Sequence, residues 1–264
     1  MTVLRFDLEY EGTRYRGWQE QKNARTVMGE LRRACETAIG EPVELGGAGR
    51  TDAGVHALQQ VAHLRTRGRM RTGGLAAAID ESLPPDIHVL TAVAAGERFH
   101  ARHDAVSRSY LYQIARRRTA LAKRFVWWVK RPLDPEAMAR AAARFAGRHD
   151  FAAFCEKPAA QSSTVVVVER LEVAVEGDLV LLRVVASHFL WKMVRRLVGA
   201  LVELGAGAVD EDDLLALLRP GAVGGRLRPA EWTAPPSGLF LERVLYPGDR
   251  PLGPLRAAVA VGSG

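Results

Sequence analysis

A chain of 264 residues, 48% hydrophobic and 25% charged, can bury a real core as one large domain or two smaller ones, which excludes wholesale disorder. Its formal net charge of +7 favours a polyanionic partner such as nucleic acid. Two distant cysteines, Cys35 and Cys155, with no CxxC and no Cys/His cluster, exclude a structural zinc site and suit a reducing cytoplasm.

The N-terminus carries charges inside every apolar run, so no signal peptide is expected. Leu4, Phe6, Leu8 and Tyr10 alternate with Arg5, Asp7 and Glu9, the pattern of a half-buried strand. Thr26 can cap a helix whose face is Val27, Leu31, Ala34 and Ala38, and Gly40 can end it. Glycines crowd residues 46–54 and should interrupt regular structure. A strand is expected over 55–66 and a short helix over 75–82, stopped by Pro84 and Pro85.

Residues 98–104 read as the transition to a second half. There a strand is expected over 110–116. A helix follows with Asp134 as N-cap, Pro135 as first residue and Met138, Ala141, Ala142 and Phe145 as its apolar face, ended by Gly147. A hairpin over 165–175 and 179–186 turns at Gly177-Asp178. A largely buried helix over 189–204, a helix capped by Asp210 and ending near Pro220, and a strand over 239–245 complete the order. The apolar stretch 189–204 contains Lys192, Arg195, Arg196 and Glu203, so it does not span a bilayer. The class is α+β with mainly antiparallel sheets, divided as 1–104, 105–247 and a loosely held Gly/Pro/Ala-rich tail, 248–264.

The most informative stretch is Gly49-Arg50-Thr51-Asp52-Ala53-Gly54-Val55-His56-Ala57. Its small residues permit close approach, and they place a carboxylate and a guanidinium two positions apart on a loop. An Asp beside Gly is by itself usually a turn residue. The whole string, however, closely resembles the catalytic motif of the tRNA pseudouridine synthase A family. Five further matches follow the family's order. They are Tyr15-Arg16-Gly17-Trp18-Gln19-Glu20-Gln21, Phe99-His100-Ala101-Arg102 and Arg108-Ser109-Tyr110-Leu111-Tyr112. The last two are Met193-Val194-Arg195 with Val198-Gly199, and Ala234-Pro235 with Gly238-Leu239-Phe240-Leu241. The sequence departs from the family where Val165–Val168 follow Ser163-Thr164 in place of an Arg, and where Ser187-His188-Phe189 replaces a segment that often begins with Asn.

The resemblance implies isomerisation of uridines at positions 38, 39 and 40 of the tRNA anticodon stem-loop, without cofactor or metal. It implies the pseudouridine synthase fold of two similar α/β halves, an active site in a basic cleft between them, and a homodimer. Carried over, Asp52 is the catalytic residue, Tyr110 packs on the target base, Arg50 flips or holds the nucleotide, Arg195 lies near Asp52, and Leu239 lines the pocket. The residue types suit that chemistry. A carboxylate can act as nucleophile or base, an aromatic face can hold a detached base, and a stacked base must first be flipped out. The residues leave open whether Asp52 attacks C1′, adds to the base or abstracts a ribose proton.

Arg195 sits among Phe189, Leu190, Met193, Val194, Leu197 and Val198, so its guanidinium needs an acid from elsewhere or a carbonyl at a neighbouring turn. Asp52 is the favoured acid. Arg116, Arg117 and Arg118 follow a strand and are expected to meet RNA phosphates. Trp127 and Trp128 read as packing residues, Tyr15 and Trp18 as core, and His56, His63, His100 and His188 as hydrogen-bonders rather than ligands. Two other readings compete: an RNA-binding module without catalysis, which would explain the charge, and an aspartate-dependent hydrolase, which would ordinarily need a second carboxylate.

Overall fold

A computed structural model of the protein describes residues 2–68, 72–156, 163–219, 221 and 226–262. In chain order the elements are β1 (Thr2–Tyr10), α1 (Val27–Ile39), β2 (Glu44–Gly47), β3 (His56–Thr66), α2 (Leu75–Asp80), β4 (Ile87–Ala94), β5 (Ser107–Ala115), β6 (Trp127–Trp128), α3 (Pro135–Arg144), β7 (Gly147–Asp150), β8 (Val165–Glu176), β9 (Leu179–Ala186), α4 (Met193–Gly205), α5 (Glu211–Ala216) and β10 (Leu239–Leu245). They fall into two compact units, Met1–Val106 with Phe240–Asp249, and Ser107–Leu239 with Arg250–Gly264.

In the first unit β1 is central, antiparallel to β3 on one side and to β4 on the other. The antiparallel β2 and the parallel β10 pair with β3, β10 through Phe240↔His56 and Leu241↔Ala57. Leu4, Phe6 and Leu8 are fully buried, as their alternation requires. Helix α1 starts where the Thr26 side chain accepts the Gly29 N–H at 3.2 Å, and it ends at Gly40, whose φ of 80° is left-handed. Its buried face is Val27, Leu31, Ala34 and Cys35.

In the second unit β9 lies antiparallel to β5 and β8, β8 carries β7, and the two-residue β6 runs parallel to β5. The α+β class with mainly antiparallel sheets is therefore the observed one. Asp134 caps α3 by accepting from the Glu136 and Ala137 N–H groups, with Pro135 as first residue. Helices α3 and α4 pack tightly: a Cβ on Gly205 would lie 2.7 Å from Met138.

Several expectations are corrected. Gly46 and Gly47 lie inside β2 rather than interrupting structure, because a Cβ there would come within 2.5 Å of the His63 ring and of Trp18. Helix α4 begins at Met193, not 189, because Lys192 takes a left-handed φ of 61° that breaks the helical path. Pro220, the expected stop after α5, lies outside the described residues. The 239–245 strand appears as expected, but from Phe240 it belongs to the first unit through its ladder with β3. The tail from residue 250 to 262 is held, not loose. Buried Arg183 donates to the Gly253 and Pro254 carbonyls at 2.9 and 3.3 Å. Gln113 accepts from Ala258 N–H at 2.6 Å, and Glu176 accepts from Ala257 N–H at 3.2 Å. A buried guanidinium and a buried carboxamide on β9 and β5 need partners, and the tail supplies them.

Candidate active site

The Asp52 loop begins where β2 leaves β3. Ala48 N–H still bonds to the Val61 carbonyl at 2.8 Å, and then the ladder stops. The fully buried Gln60 takes over: its Oε1 accepts the Gly49 N–H at 3.3 Å and its Nε2 donates to the Gly49 carbonyl at 3.0 Å. The Thr51 carbonyl accepts from Trp18 N–H at 3.1 Å, and the Thr51 hydroxyl meets the Tyr10 hydroxyl at 2.8 Å. A turn follows, closed by Val55 N–H on the Asp52 carbonyl at 3.2 Å and needing the φ of 78° at Gly54. Asp52 is left half-buried and Arg50 exposed on this loop.

The motif around Trp18 exists to hold that loop. The Tyr15 carbonyl accepts Gly54 N–H at 3.3 Å, and the Tyr15 hydroxyl is anchored on Asp86. Gly17 has φ of 94°, and a Cβ on it would stand 2.6 Å from the Thr51 carbonyl. A Cβ on Gly12 would lie 1.9 Å from the Val55 carbonyl, and Gly12 N–H donates to His56 Nδ1 at 3.1 Å. The imidazole of His56 therefore carries any single proton on Nε2. Tyr15 and Trp18 are buried, as read from the sequence. His63 is buried too. It accepts Ala101 N–H on Nδ1 at 3.2 Å, and burial first, then the neighbouring His100 and Arg65, push its pKa down to about 4. That bond fixes the segment Phe99–Arg102 to β3.

In the second unit Tyr110 lies on β5, opposite Val184 and almost buried, with Phe189 edge-on at 5.0 Å between ring centroids. Arg195 is half-buried on the first turn of α4. Its Nε donates to the Ala234 carbonyl at 2.7 Å, and its own carbonyl accepts Ala234 N–H at 3.1 Å. The next carbonyl, Pro235, accepts the Tyr112 hydroxyl at 2.8 Å. Gly238 sits against the Tyr112 ring, where a Cβ would come within 2.6 Å, and Leu239 follows, buried. A Cβ on Gly199 would collide with the Trp232 carbonyl at 1.6 Å. Three of the short motifs are thus parts of one packed assembly around Ala234 and Pro235. Arg196, next to Arg195, is turned elsewhere, to the Cys155 carbonyl at 2.5 Å and to Glu156 at 3.3 Å.

The arginine run is partly occupied. Arg116 donates to the Gly177 carbonyl at 2.7 Å, and Arg117 pairs with Asp178 at 2.6 Å. Arg118 lies over the Trp128 ring at 5.8 Å, with Lys130 at 5.5 Å. Trp128, read as a packing residue, is 37% exposed, because it lies on the short edge strand β6. Among the described residues no group of three His, Cys, Asp or Glu side chains could hold a metal ion, and no helix is long and apolar enough to cross a membrane.

Comparison with known proteins bears on these motifs. A family model described as tRNA pseudouridine synthase matches residues 8–104 and 141–247. The chain belongs to the tRNA pseudouridine synthase family. Pseudouridine synthases are isomerases, and this family member is an enzyme of that class. It is 39% identical over 241 residues to "tRNA pseudouridine synthase A" of Thermoanaerobacter sp. (strain X514), covering 90% of this chain and 97% of the relative. The protein of the same name from Rhodopseudomonas palustris (strain BisA53) is 41% identical over 243 residues, with 90% and 97% covered. That of Geotalea uraniireducens (strain Rf4) is 40% identical over 248 residues, with 93% and 100% covered. A solved Cbf5-Nop10-Gar1 complex overlaps 75% of this chain and 54% of its own at 13% identity and a TM-score of 0.31, too low to carry an argument.

The sequence patterns and motifs name Tyr10, Thr51 and Tyr112 without giving them a role at the site, and they pass over Gln60. A signal was present for one of them. Gln60 falls at a position of β3 whose neighbours on the same face are apolar, where a carboxamide has no reason to sit unless it binds something.

Proposed function

We propose that the protein isomerises uridines 38, 39 and 40 of the tRNA anticodon stem-loop to pseudouridine, with Asp52 as catalytic residue. The observation that carries this is the loop geometry. A carboxylate with an arginine two residues before it stands on a loop whose backbone is fastened at Gly49, Thr51 and Gly54. Chemistry that must break C1′–N1, turn the uracil and join C5 to C1′ demands a carboxylate that does not drift. The relatives' names supply tRNA as substrate, and the six motifs supply the anticodon positions by resemblance.

In this reading Arg50 holds the flipped nucleotide and Tyr110 offers its ring to the base. Arg195 pairs with Asp52 and aims it at the flipped nucleotide, and Leu239 closes the pocket wall. Arg116 and Arg118 meet the phosphate backbone; Arg117, already paired with Asp178, contributes less. The protein acts as a homodimer in the cytoplasm, in keeping with two unpaired, buried thiols. The test uses tRNA tritiated at uridine C5. Release of tritium from an intact chain supports isomerisation; free uracil would show hydrolysis, and binding with neither product would leave an RNA-binding module.

A further inference from the structure

We infer that Tyr10, Gln60 and Thr51 form a buried clamp that sets the position of Asp52, and that they are positioning residues for the reaction. The inference rests on Asp52 being the catalytic residue.

The three side chains make one connected path. Gln60 grips both backbone groups of Gly49, at 3.3 and 3.0 Å, and its Nε2 also donates to the Tyr10 hydroxyl at 3.4 Å. Tyr10 is thereby left with its own proton for Thr51 Oγ1, 2.8 Å away. Burial pushes the Tyr10 hydroxyl up to about 12, so it stays a donor across the working pH range. The residues gripped, Gly49 and Thr51, flank Arg50 and immediately precede Asp52.

Stability does not explain this choice of residues. Gln60 and Tyr10 are at 0% and 4% exposure in a sheet core. For the Tyr10–Thr51 contact, apolar groups of the same shape at both positions would be close to neutral in folding free energy, since a satisfied buried hydroxyl pair returns little beyond its desolvation cost. What polar groups give and apolar ones cannot is direction. Hydrogen bonds fix the loop at set distances from β1 and β3, the stiffest part of the unit, while β2 pairing has already ended.

Tyr10→Phe removes one oxygen and keeps the ring that packs near Trp18, 6.1 Å between centroids. Thr51→Val removes the other hydroxyl at equal volume and leaves the sheet untouched, so it serves if Tyr10→Phe folds poorly. Each is expected to lower the single-turnover rate on tRNA about tenfold to a hundredfold, with tRNA affinity within about twofold of wild type. Thr51→Ser should restore the rate. The Tyr10→Phe/Thr51→Val double variant should be no slower than Tyr10→Phe alone, because Tyr10→Phe already removes the bond that Thr51→Val cuts. Wild-type rates in Tyr10→Phe and Thr51→Val, with only a lowered melting temperature, would overturn the clamp. Asp52→Ala is run alongside. Turnover there would overturn the assignment of Asp52, whereas an inactive Asp52→Ala beside fully active clamp variants would overturn the clamp alone.

Discussion

Between Gly49 and His56, the backbone is met from outside at Gly49 by the Gln60 carboxamide, at Thr51 by Trp18 N–H and at Gly54 by the Tyr15 carbonyl, while the His56 ring accepts Gly12 N–H. Between Phe189 and Gly199 the fastening is different. Met193, Val194, Leu197 and Val198 are buried, and the polar ties to other segments are made mostly by long side chains, Arg195 to the Ala234 carbonyl and Lys192 and Arg196 to Glu156. The contrast follows from local structure. A helix satisfies its own backbone, so apolar packing is enough to place the side chain it carries. A loop has no such ladder, and each group must be pinned separately. A side chain on the loop is therefore sensitive to the loss of single atoms, and one on the helix to changes of volume.

The sharpest test of the loop side is Asp52→Ala. Pseudouridine formation should vanish while tRNA affinity stays near wild type, because affinity rests on many phosphate contacts. Filter binding and tritium release decide it together. On the helix side, Arg195→Met keeps bulk and the apolar packing. The fold should persist, shown by an unchanged circular dichroism spectrum, while single-turnover rate falls about a hundredfold. Equal loss of folding and rate would place Arg195 with the core instead.

Next come the glycines. Gly12→Ala drives a methyl into the Val55 carbonyl, a backbone atom that cannot step aside, and should cost about 3 kcal/mol by urea denaturation. Gly40→Ala meets nothing within 4 Å and strains only its φ of 80°, so about 1 kcal/mol is expected. If the two cost the same, the close packing of the loop is not what makes Gly12 necessary.

Acid should loosen the polar-held unit. His63 has a folded pKa of about 4 against 6.5, so the folded state resists a proton that the unfolded chain accepts. Its contribution is whole above 6.5 and is lost progressively as pH falls from 6.5 toward about 4. Urea midpoints at pH 7 and pH 4.5 should separate more for the wild type than for His63→Gln. The smallest effect expected is on salt dependence. Neutralising Arg116, Arg117 and Arg118 together should reduce the slope of log affinity against log salt by about two units rather than three, since Arg117 already has Asp178. An unchanged slope would move the run away from RNA.

What the sequence disclosed was local. Thr26, Gly40, Asp134 and Pro135 act within four residues of themselves, and their helices lie where those signals put them. The strand glycines could not be read that way, because the reason for Gly46 and Gly47 is His63 and Trp18, distant in the chain. Lys192 gave no sign of its left-handed turn, since lysine has no preference for one. At the site, Asp52, Tyr110 and Arg195 stood out through whole motifs. Gln60 and Tyr10 did not, because their partners, the backbone of Gly49 and the hydroxyl of Thr51, are brought near them only by the fold.

The late return of the chain to both units has a consequence for its synthesis. β3 waits for Phe240 and Leu241, and buried Arg183 and Gln113 wait for residues 253–259. Neither unit is complete when its first part emerges from the ribosome, contrary to the usual N-terminal-first order. A nascent chain stalled before Phe240 leaves the 56–57 end of β3 without its β10 partner and Arg183 with Glu172 but without its tail carbonyls. Messages cut short near their 3′ end should therefore yield substrates for cellular proteases rather than partly active enzyme.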